Sequence, residues 1–328
     1  MELSVSTHEK RYVGIDLGGT NLKLGLVSAD GKVLRRLSSP TQAKHGPAHV
    51  LERMAQAVRD LCKAAGIGLE DVAAVGAAAP GPLDTKEGVV LFAPNMPGWR
   101  NIHVRDALAK ALDRPIVVEN DANAAGYGEF RCGAGRTVRD MIILTLGTGL
   151  GGGIIIGGRM FRGHTDTGAE LGHTVIKYGG RRCGCGITGC LEAYASCTAV
   201  VARTQEELAT GVASSLAGRE DITCKDVFDA AAAGDAFADH IVKDTADYLA
   251  IGITSLLHVL NPEMVVLTGG MMGAGDKFLN LVRQRVKETA FERAASSCEI
   301  RWSELGGDAG IVGAALAAEA FERTGQQA

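Results

Sequence analysis

The sequence predicts a two-domain α/β protein, and three observations lead to this fold class. The chain has 328 residues, which is more than a single hydrophobic core usually serves. Apolar runs typical of buried strands alternate with segments whose apolar residues recur at helical spacing. Glycine-rich loops follow three of the apolar runs, and 44 residues of the chain are glycine. Glycine in such loops lets the backbone turn tightly or approach a ligand closely.

The first 120 residues predict three strands, then a helix, a strand, a helix and a strand. The segment RYVGIDLGGTNLKLGLVSADGKVL reads as two strands around a glycine turn, followed by an Asp30-Gly31 turn into a third strand. Apolar residues then recur at helical spacing as far as Gly66. The segments DVAAVGAAAPG, VRDALAKALDRP and IVVEN follow as strand, helix and strand. This alternation is typical of an α/β domain.

A second cycle of the same kind begins at Asp121. After a helix start in DANAAGYGEF, the segment MIILTLGTGLGGGIIIGG repeats the opening order of strand, glycine turn and strand. A long helix over residues 236–260 precedes another strand and glycine loop, MVVLTGGMMGAG, and the last helix begins behind Asp308. We therefore expect a small domain of residues 1–120 plus 309–328 and a large domain of residues 121–308 that contains the zinc-binding segment discussed below. The two domains are expected to share a cleft.

Composition predicts a protein of the cytoplasm. The chain is 46 % hydrophobic and 22 % charged, with a formal net charge of −4, so it lacks the basic surplus of a nucleic-acid-binding protein. The N-terminus is polar and does not resemble a secretory signal. The longest apolar run, residues 248–260, is too short to span a bilayer and contains His258. No nucleic-acid or membrane partner is expected, and the eight cysteines should be reduced.

The three glycine loops favour a nucleotide-binding site, because backbone N–H groups in such loops form concave sites for phosphate. The chain contains no Walker A motif, and the first loop continues into a strand, unlike a dinucleotide fingerprint. The candidate ligand-binding residues of the loops are Asp16, Gly18, Gly19, Thr20, Thr148, Gly149, Gly269 and Gly270.

The segment CGCGITGC predicts a metal site. His173 precedes it, and the set His173, Cys183, Cys185 and Cys190 matches the closed tetrahedral ligand set of a structural Zn²⁺ site. A redox pair would favour C-x-x-C, which is absent, and a reducing compartment disfavours a disulfide. The alternative is four reduced residues that bind no metal.

Asp121 follows the predicted strand IVVEN at the point where a helix begins. An aspartate at this position can cap the helix. It can also act as a general base that accepts a hydroxyl proton during phosphoryl transfer, with the polar amide of Asn120 beside it. The residues alone leave both interpretations open.

Several segments resemble a known family. DLGGTNLKLG, TLGTGLGGG and LTGGMMGAG are similar to the two phosphate motifs and the adenosine motif of the sugar kinase and actin superfamily. VENDANAAGYGEF and GAELGH…CGCGITGCLEAYAS resemble the ROK family of bacterial sugar kinases and repressors, and the resemblance extends from Tyr12 to the last helix. It is strongest toward the glucokinases of that family. It implies a two-domain actin-like ATPase (ribonuclease H-like) fold with an interdomain active-site cleft.

The resemblance also implies an activity and residue roles. The activity is ATP- and Mg²⁺-dependent phosphorylation of a hexose at its 6-hydroxyl, with D-glucose as the expected substrate. Asp121 would be the catalytic base, and Asp16 would hold Mg²⁺ through water. The sugar would contact Gly81, Asn95, Asn120, Asp121, Glu170, His173 and Glu192. The family carries the same structural zinc site, and a homodimer is expected from family likeness.

The sequence leaves alternatives open within and beyond this activity. N-acetylmannosamine, N-acetylglucosamine, mannose or fructose could replace glucose, because discrimination at one substituent depends on pocket shape. Polyphosphate could replace ATP, and a non-catalytic sugar sensor is a more distant alternative. A repressor is not expected, because about ten residues precede the first strand, too few for a helix-turn-helix. Many relatives have a lysine where this chain has Asn21, so no lysine is assigned to phosphate binding.

Overall fold

The computed structural model describes residues 10–93 and 95–328. The polar start of the chain, on which the expectation of no signal peptide rests, lies outside the described residues, as does Pro94 of the APNMPGW segment. Strands of the described range are β1 Arg11–Leu17, β2 Asn21–Ser28, β3 Val33–Pro40, β4 Val72–Ala79, β5 Leu83–Asp84, β6 Val89–Phe92, β7 Arg100–His103, β8 Ile116–Asn120, β9 Met141–Leu146, β10 Leu150–Ile156, β11 Arg159–Met160, β12 Met264–Thr268 and β13 Glu299–Trp302. Its helices are α1 Pro47–Ala65, α2 Val104–Leu112, α3 Asp121–Cys132, α4 Glu192–Ala195, α5 Cys197–Leu208, α6 Cys224–Ala232, α7 Ala236–Leu260, α8 Gly275–Thr289, α9 Glu292–Ser297 and α10 Ala309–Thr324. Across the described residues, no helix is both long enough and apolar enough to cross a membrane.

The chain forms two compact units. The first contains the residues up to Arg136, the segment Arg159–Gly168 and the residues from Gly307 onward. The second contains Thr137–Gly158 and Ala169–Gly306. This division differs from the predicted domain ranges, because α3 and the segment 159–168 belong to the first unit. For α3 the physical reason is its close packing along α10.

The first unit is built on a five-stranded sheet in the order β3-β2-β1-β4-β8. β1 is antiparallel to β2 and parallel to β4, and β4 is parallel to β8. The apolar stripe of α1 is buried, and Gly66 ends this helix with a φ of 69°, as the sequence predicts. The small sheet β5-β6-β7 is absent from the sequence prediction, because strands of two to four residues carry little periodic signal.

The second unit repeats this pattern. Its strands lie in the order β10-β9-β12-β13. β9 is antiparallel to β10 and parallel to β12, and β12 is parallel to β13. The long predicted helix is present as α7. It ends at Leu260, and its C-cap Asn261 is left-handed with a φ of 45° and precedes a proline. The internal repetition visible in the sequence is therefore a repetition of sheet topology.

Close backbone packing of α10 accounts for several glycines of the first unit. This helix packs against β1, β4 and α3. A Cβ atom at Gly14 would overlap the carbonyl of Ile311, and one at Gly76 would overlap the carbonyl of Ala314. Gly313 of α10 makes the same kind of approach to the carbonyl of Ala124 in α3. At these positions glycine is required for packing and not for ligand binding.

Candidate active site and metal centre

In the first unit, three loops meet at one edge of the sheet. β1, β4 and β8 are parallel, so their carboxyl ends lie side by side, and ligands of α/β sheets bind at such ends. Asp16 lies near the end of β1, Gly81 follows β4, and Asn120 ends β8. The side-chain amide of Asn120 donates to the carbonyl of Gly81 at 3.3 Å. The structure thus brings together Gly81 and Asn120, two of the predicted sugar-binding residues.

Asn120, and not Asp121, is the N-cap of α3. Its side-chain oxygen accepts hydrogen bonds from the backbone N–H groups of Ala122 and Asn123 at 2.9 Å and 3.1 Å. Asp121 is the first residue of the helix, and its Oδ1 accepts a hydrogen bond from the N–H of Ala122 at 2.8 Å. The interpretation of Asp121 as the capping residue is therefore wrong, because the residue before it already fills that role.

Asp16 lies against the N-terminal turn of α10. A Cβ atom at Gly310 would come within 3.2 Å of the Asp16 carboxylate, so only glycine leaves this space open beside it. Burial raises the pKa of Asp16, and the positive charge of Lys23 opposes this shift. Lys23 is the register partner of Asp16 on β2. A half-buried carboxylate with Lys23 opposite it and the Gly310 backbone close beside it has the oxygen donors that Mg²⁺ prefers.

The first glycine loop passes beside Asn95. A Cβ atom at Gly19 would lie 3.6 Å from the carbonyl oxygen of Asn95. The loop is closed by a hydrogen bond from the N–H of Gly18 to the carbonyl of Asn21 at 3.0 Å. The carbonyl of Thr20 accepts a hydrogen bond from the N–H of Thr41 at 2.8 Å. This loop of the predicted phosphate site and Asn95 of the predicted sugar site are therefore neighbours.

The second and third glycine loops lie at one edge of the sheet in the second unit. β9 and β12 are parallel, and Thr148 and Gly149 follow the first of these strands, whereas Gly269 and Gly270 follow the second. Gly269 has a φ of 97°, and a Cβ atom there would collide with the backbone of Leu146 at the end of β9. Glycine at this position lets the two loops approach each other.

Glu192, the first residue of α4, contacts the second glycine loop. Its Oε2 accepts a hydrogen bond from the N–H of Leu150 at 2.9 Å, and its Oε1 accepts one from Sγ of Cys183 at 3.2 Å. The protein atoms around Glu170 raise the pKa of its carboxyl by desolvation; His173 opposes this shift, and the charge of Glu192 adds to it. The predicted sugar-binding carboxylates are thus close enough to influence each other.

The predicted metal ligands converge. The ligand atoms of His173, Cys183, Cys185 and Cys190 all lie within 4.8 Å of one another. Sγ of Cys183 is 3.7 Å from Nδ1 of His173, and Sγ of Cys185 is 3.7 Å from Sγ of Cys190. Zinc–sulfur bonds of about 2.3 Å in a tetrahedron place sulfurs about 3.8 Å apart, whereas a disulfide requires about 2.05 Å. The residues therefore fit a tetrahedral zinc ion and not a disulfide.

Local backbone geometry produces this convergence. Antiparallel bridges join Val175 to Cys190 and Arg182 to Thr188, which fold the segment back on itself. Gly189 has a φ of 87°, and a Cβ atom there would overlap the carbonyl of Lys177. Here a glycine is required both for its left-handed backbone and for the close approach.

The predicted residues divide between the two units. The first unit contains Asp16, Gly18, Gly19, Thr20, Gly81, Asn95, Asn120 and Asp121, and the second contains Thr148, Gly149, Glu170, His173, Glu192, Gly269, Gly270 and the three cysteines. Sequence reasoning missed Gly310 and an ion pair between Glu119 and Arg162. A charged residue within the apolar strand IVVEN was the available signal for Glu119. No sequence signal indicated Arg162.

Comparison with known proteins identifies similar chains. The sequence profile of the ROK family matches residues 12–320. The glucokinase of Thermotoga maritima is 38 % identical over 309 residues, covering 93 % of this chain and 96 % of that one. The crystal structure of a ROK hexokinase from Thermus thermophilus is similar with a TM-score of 0.83 at 34 % identity, covering 95 % of this chain and 99 % of that one. A ROK family glucokinase from Streptomyces griseus, in complex with glucose and AMPPNP, has a TM-score of 0.82 at 34 % identity, covering 94 % and 99 %. These similarities confirm the predicted two-domain actin-like ATPase fold.

Proposed function

This chain belongs to the ROK family, and we propose that it is an ATP-dependent sugar kinase that phosphorylates the 6-hydroxyl of a hexose. D-Glucose is the preferred acceptor, and glucose 6-phosphate is the product. The relatives named glucokinase align over nearly the whole chain, and a similar protein binds glucose together with an ATP analogue.

The observation that carries this proposal is the arrangement at the carboxyl edge of the first unit. Asn120 caps α3 and contacts Gly81, which leaves Asp121 as the acidic residue at the strand–helix junction. We propose that Asp121 accepts the proton of the 6-hydroxyl as that oxygen attacks the γ-phosphorus. A positioned general base contributes about 10²–10⁴-fold to the rate of such a step.

Magnesium is part of the proposal. When bound, Mg²⁺ neutralises charge that develops on the β- and γ-phosphates. Asp16 is the carboxylate proposed to hold it through water, and glycine at position 310, which places no side chain against that carboxylate, supports this role. The backbone N–H groups of the three glycine loops are proposed to bind the phosphates and the adenosine.

The remaining polar residues are proposed to bind the sugar. Carboxylates suit this task, because each accepts two strong hydrogen bonds from neighbouring hydroxyls. We assign this role to Gly81, Asn95, Asn120, Glu170, His173 and Glu192. His173 also belongs to the cysteine cluster, so the proposed Zn²⁺ holds a sugar-binding side chain in place. Zinc is a structural ion in this proposal, because all four tetrahedral positions are filled by protein ligands.

A cytoplasmic location and a homodimer complete the proposal. None of the eight cysteines is in a disulfide, and a reducing compartment preserves both free thiols and zinc-bound thiolates. Val259 of α7 and Phe291 beside α9 are 78 % and 75 % exposed, and they supply apolar surface for a second copy. Light scattering of the purified protein measures the mass of the assembly directly.

The test of the function is ADP release by the purified protein with Mg-ATP against glucose, mannose, fructose, N-acetylmannosamine and N-acetylglucosamine. A dominant rate with glucose is the expected result. A dominant rate with another sugar would keep the mechanism and change the substrate. Polyphosphate in place of ATP tests the donor. A folded, zinc-loaded protein that phosphorylates none of these sugars with either donor would contradict the kinase proposal and favour a sugar sensor.

A further inference from the structure

We propose that the ion pair between Glu119 and Arg162 positions Asp121 for phosphoryl transfer. Both are positioning residues, because they act through the Asn120–Asp121 junction. This inference rests on the function proposed above. All the residues involved belong to the first unit.

The ion pair is buried. The side chains of Arg162 and Glu119 are 13 % and 1 % exposed. Nε and Nη2 of Arg162 donate to Oε2 of Glu119 at 2.9 Å and 2.6 Å. A carboxylate in this environment requires a cationic partner to remain ionised. Arg162 is therefore the cationic partner that the buried Glu119 carboxylate needs.

The other oxygen of Glu119 binds residues on both sides of Asp121. Oε1 accepts a hydrogen bond from the backbone N–H of Asn120 at 3.0 Å and another from the side-chain amide of Asn123 at 3.2 Å. Charged acceptors make stronger hydrogen bonds than neutral ones. The hydrogen bonds of Glu119 thereby hold the junction that carries the proposed base, in addition to the cap that Asn120 supplies.

Arg162 lies in a segment with its own anchors. Arg159–Gly168 belongs to the first unit, although the residues before and after it belong to the second. Oδ2 of Asp166 accepts hydrogen bonds from the N–H and the hydroxyl of Thr85, both at 2.9 Å. The N–H of Gly168 donates to the carbonyl of Arg162 at 2.8 Å. These hydrogen bonds hold the loop that places the guanidinium of Arg162 against Glu119.

An apolar pair could fill the same space, and replacing a buried ion pair in this way is often neutral or stabilising. The ion pair differs from an apolar pair because its hydrogen bonds fix the position of the Asn120–Asp121 junction. Displacement of a reacting group by about 1 Å can cost about 10²-fold in rate. A positioning role therefore predicts a loss in kcat larger than the loss in stability suggests.

The experiment compares Arg162→Met and Glu119→Gln with Arg131→Met. Arg131, on the same helix as Asp121, pairs with Glu319 at 3.3 Å, and these side chains are 27 % and 9 % exposed. We expect Arg162→Met and Glu119→Gln to lower kcat by about 10- to 100-fold with an unchanged KM for ATP. Arg162→Lys, which keeps the charge, should restore part of the loss. Arg131→Met should lower the unfolding temperature and leave kcat at the wild-type value.

A double-mutant cycle separates positioning from a general structural role. In an Asp121→Asn background, measured with radiolabelled ATP, Arg162→Met should cause little further loss, because the group it positions is already gone. The same fold-loss in both backgrounds would overturn the inference. So would wild-type kcat in folded Arg162→Met or Glu119→Gln. If Arg162→Met does not fold, the near-isosteric Glu119→Gln takes its place in the cycle. A wild-type protein with no kinase activity would instead overturn the proposed function, and this inference with it.

Discussion

Glu192 accepts a hydrogen bond from the backbone N–H of Leu150 at 2.9 Å. One residue is the carboxylate proposed to bind sugar, and the other immediately follows the glycine loop proposed to bind phosphate. A Cβ atom at Gly149 would come within 2.6 Å of the same carboxylate oxygen. The two proposed binding functions of the second unit are therefore connected by one side chain.

Glu192→Ala should raise the KM for both glucose and ATP, because it removes a sugar-binding carboxylate and the acceptor for Leu150. Glu192→Gln keeps an acceptor oxygen for Leu150 but loses the charge, so its KM should rise for glucose and stay near wild type for ATP. Steady-state kinetics with each substrate varied measures the difference. Equal effects of the two variants on the KM for ATP would show that the hydrogen bond to Leu150 does not support the loop.

Asp121→Asn should lower kcat by about 10²–10⁴-fold, as expected for loss of a general base. Glucose affinity should remain nearly intact, because the amide has the same shape and still binds hydroxyls. Isothermal titration gives the affinity, and ADP release gives the rate. Asp106→Asn is the control, since the Asp106 side chain is 74 % exposed on α2. Substantial turnover by Asp121→Asn would rule out its role as the base.

Cys185→Ser should release the proposed zinc and weaken glucose affinity, because serine is a poor zinc ligand and His173 would lose its anchor. Metal analysis should find about one zinc per wild-type chain and none in the variant. Cys298→Ser, outside the cluster, should keep both the metal and the affinity. Wild-type metal content together with wild-type glucose affinity in Cys185→Ser would contradict the proposal that zinc holds His173 in place for sugar binding.

Gly76→Ala should lower the free energy of unfolding by about 1–3 kcal/mol, the usual cost of an overpacked contact. The added methyl group would overlap the backbone carbonyl of Ala314, which a side-chain rotation cannot relieve. Gly307→Ala, where a Cβ atom meets nothing within 4 Å, should change stability by less than about 0.5 kcal/mol. Urea denaturation measures both. A Gly76→Ala variant as stable as Gly307→Ala would mean that α10 packs less closely than described.

Asp235, the N-cap of α7, should make stability depend on pH. Burial opposes its ionisation, but hydrogen bonds from the N–H of Ala238 and from Ser215 and Ser214 outweigh this effect and hold the pKa of Asp235 below its usual range. Its contribution is thus present above the unfolded pKa of about 3.9 and is lost as pH falls below that value.

Asp235→Asn keeps the capping oxygen but removes the charge, and it should cost about 1–2 kcal/mol at pH 7. The difference in unfolding free energy between wild type and Asp235→Asn should shrink as the pH falls from about 4 toward about 2. Below the unfolded-state pKa of about 3.9, folding of the wild type requires Asp235 to lose a proton that it binds in the unfolded chain. Urea denaturation at several pH values measures this difference. A difference that stays constant with pH would show that the charge of Asp235 does not stabilise the helix.

The order of helices and strands could be predicted from the sequence, because it depends on the spacing of residues that are close together in the chain. Helical spacing identified α1 and α7, and the glycine loops after apolar runs marked the ends of β1, β9 and β12. The proposed zinc ligands were also recognisable, since three of the four lie within the eight residues 183–190. Short strands such as β5 were missed, because two residues carry no period.

The sequence by itself determined the α/β class, the repeated strand–loop–strand pattern, the family and most candidate residues, because these are properties of spacing and residue type. Only the tertiary structure decided that Asn120 is the cap of α3, that Glu192 contacts Leu150 and that Arg162 pairs with Glu119. It also decided that α3 belongs to the first unit. These relationships join residues through space, or choose between adjacent residues by backbone dihedral angles. A local sequence pattern does not show that Glu119 and Arg162, which are 43 positions apart, are in contact. It also does not show which of two adjacent residues adopts the backbone dihedral angles of an N-cap.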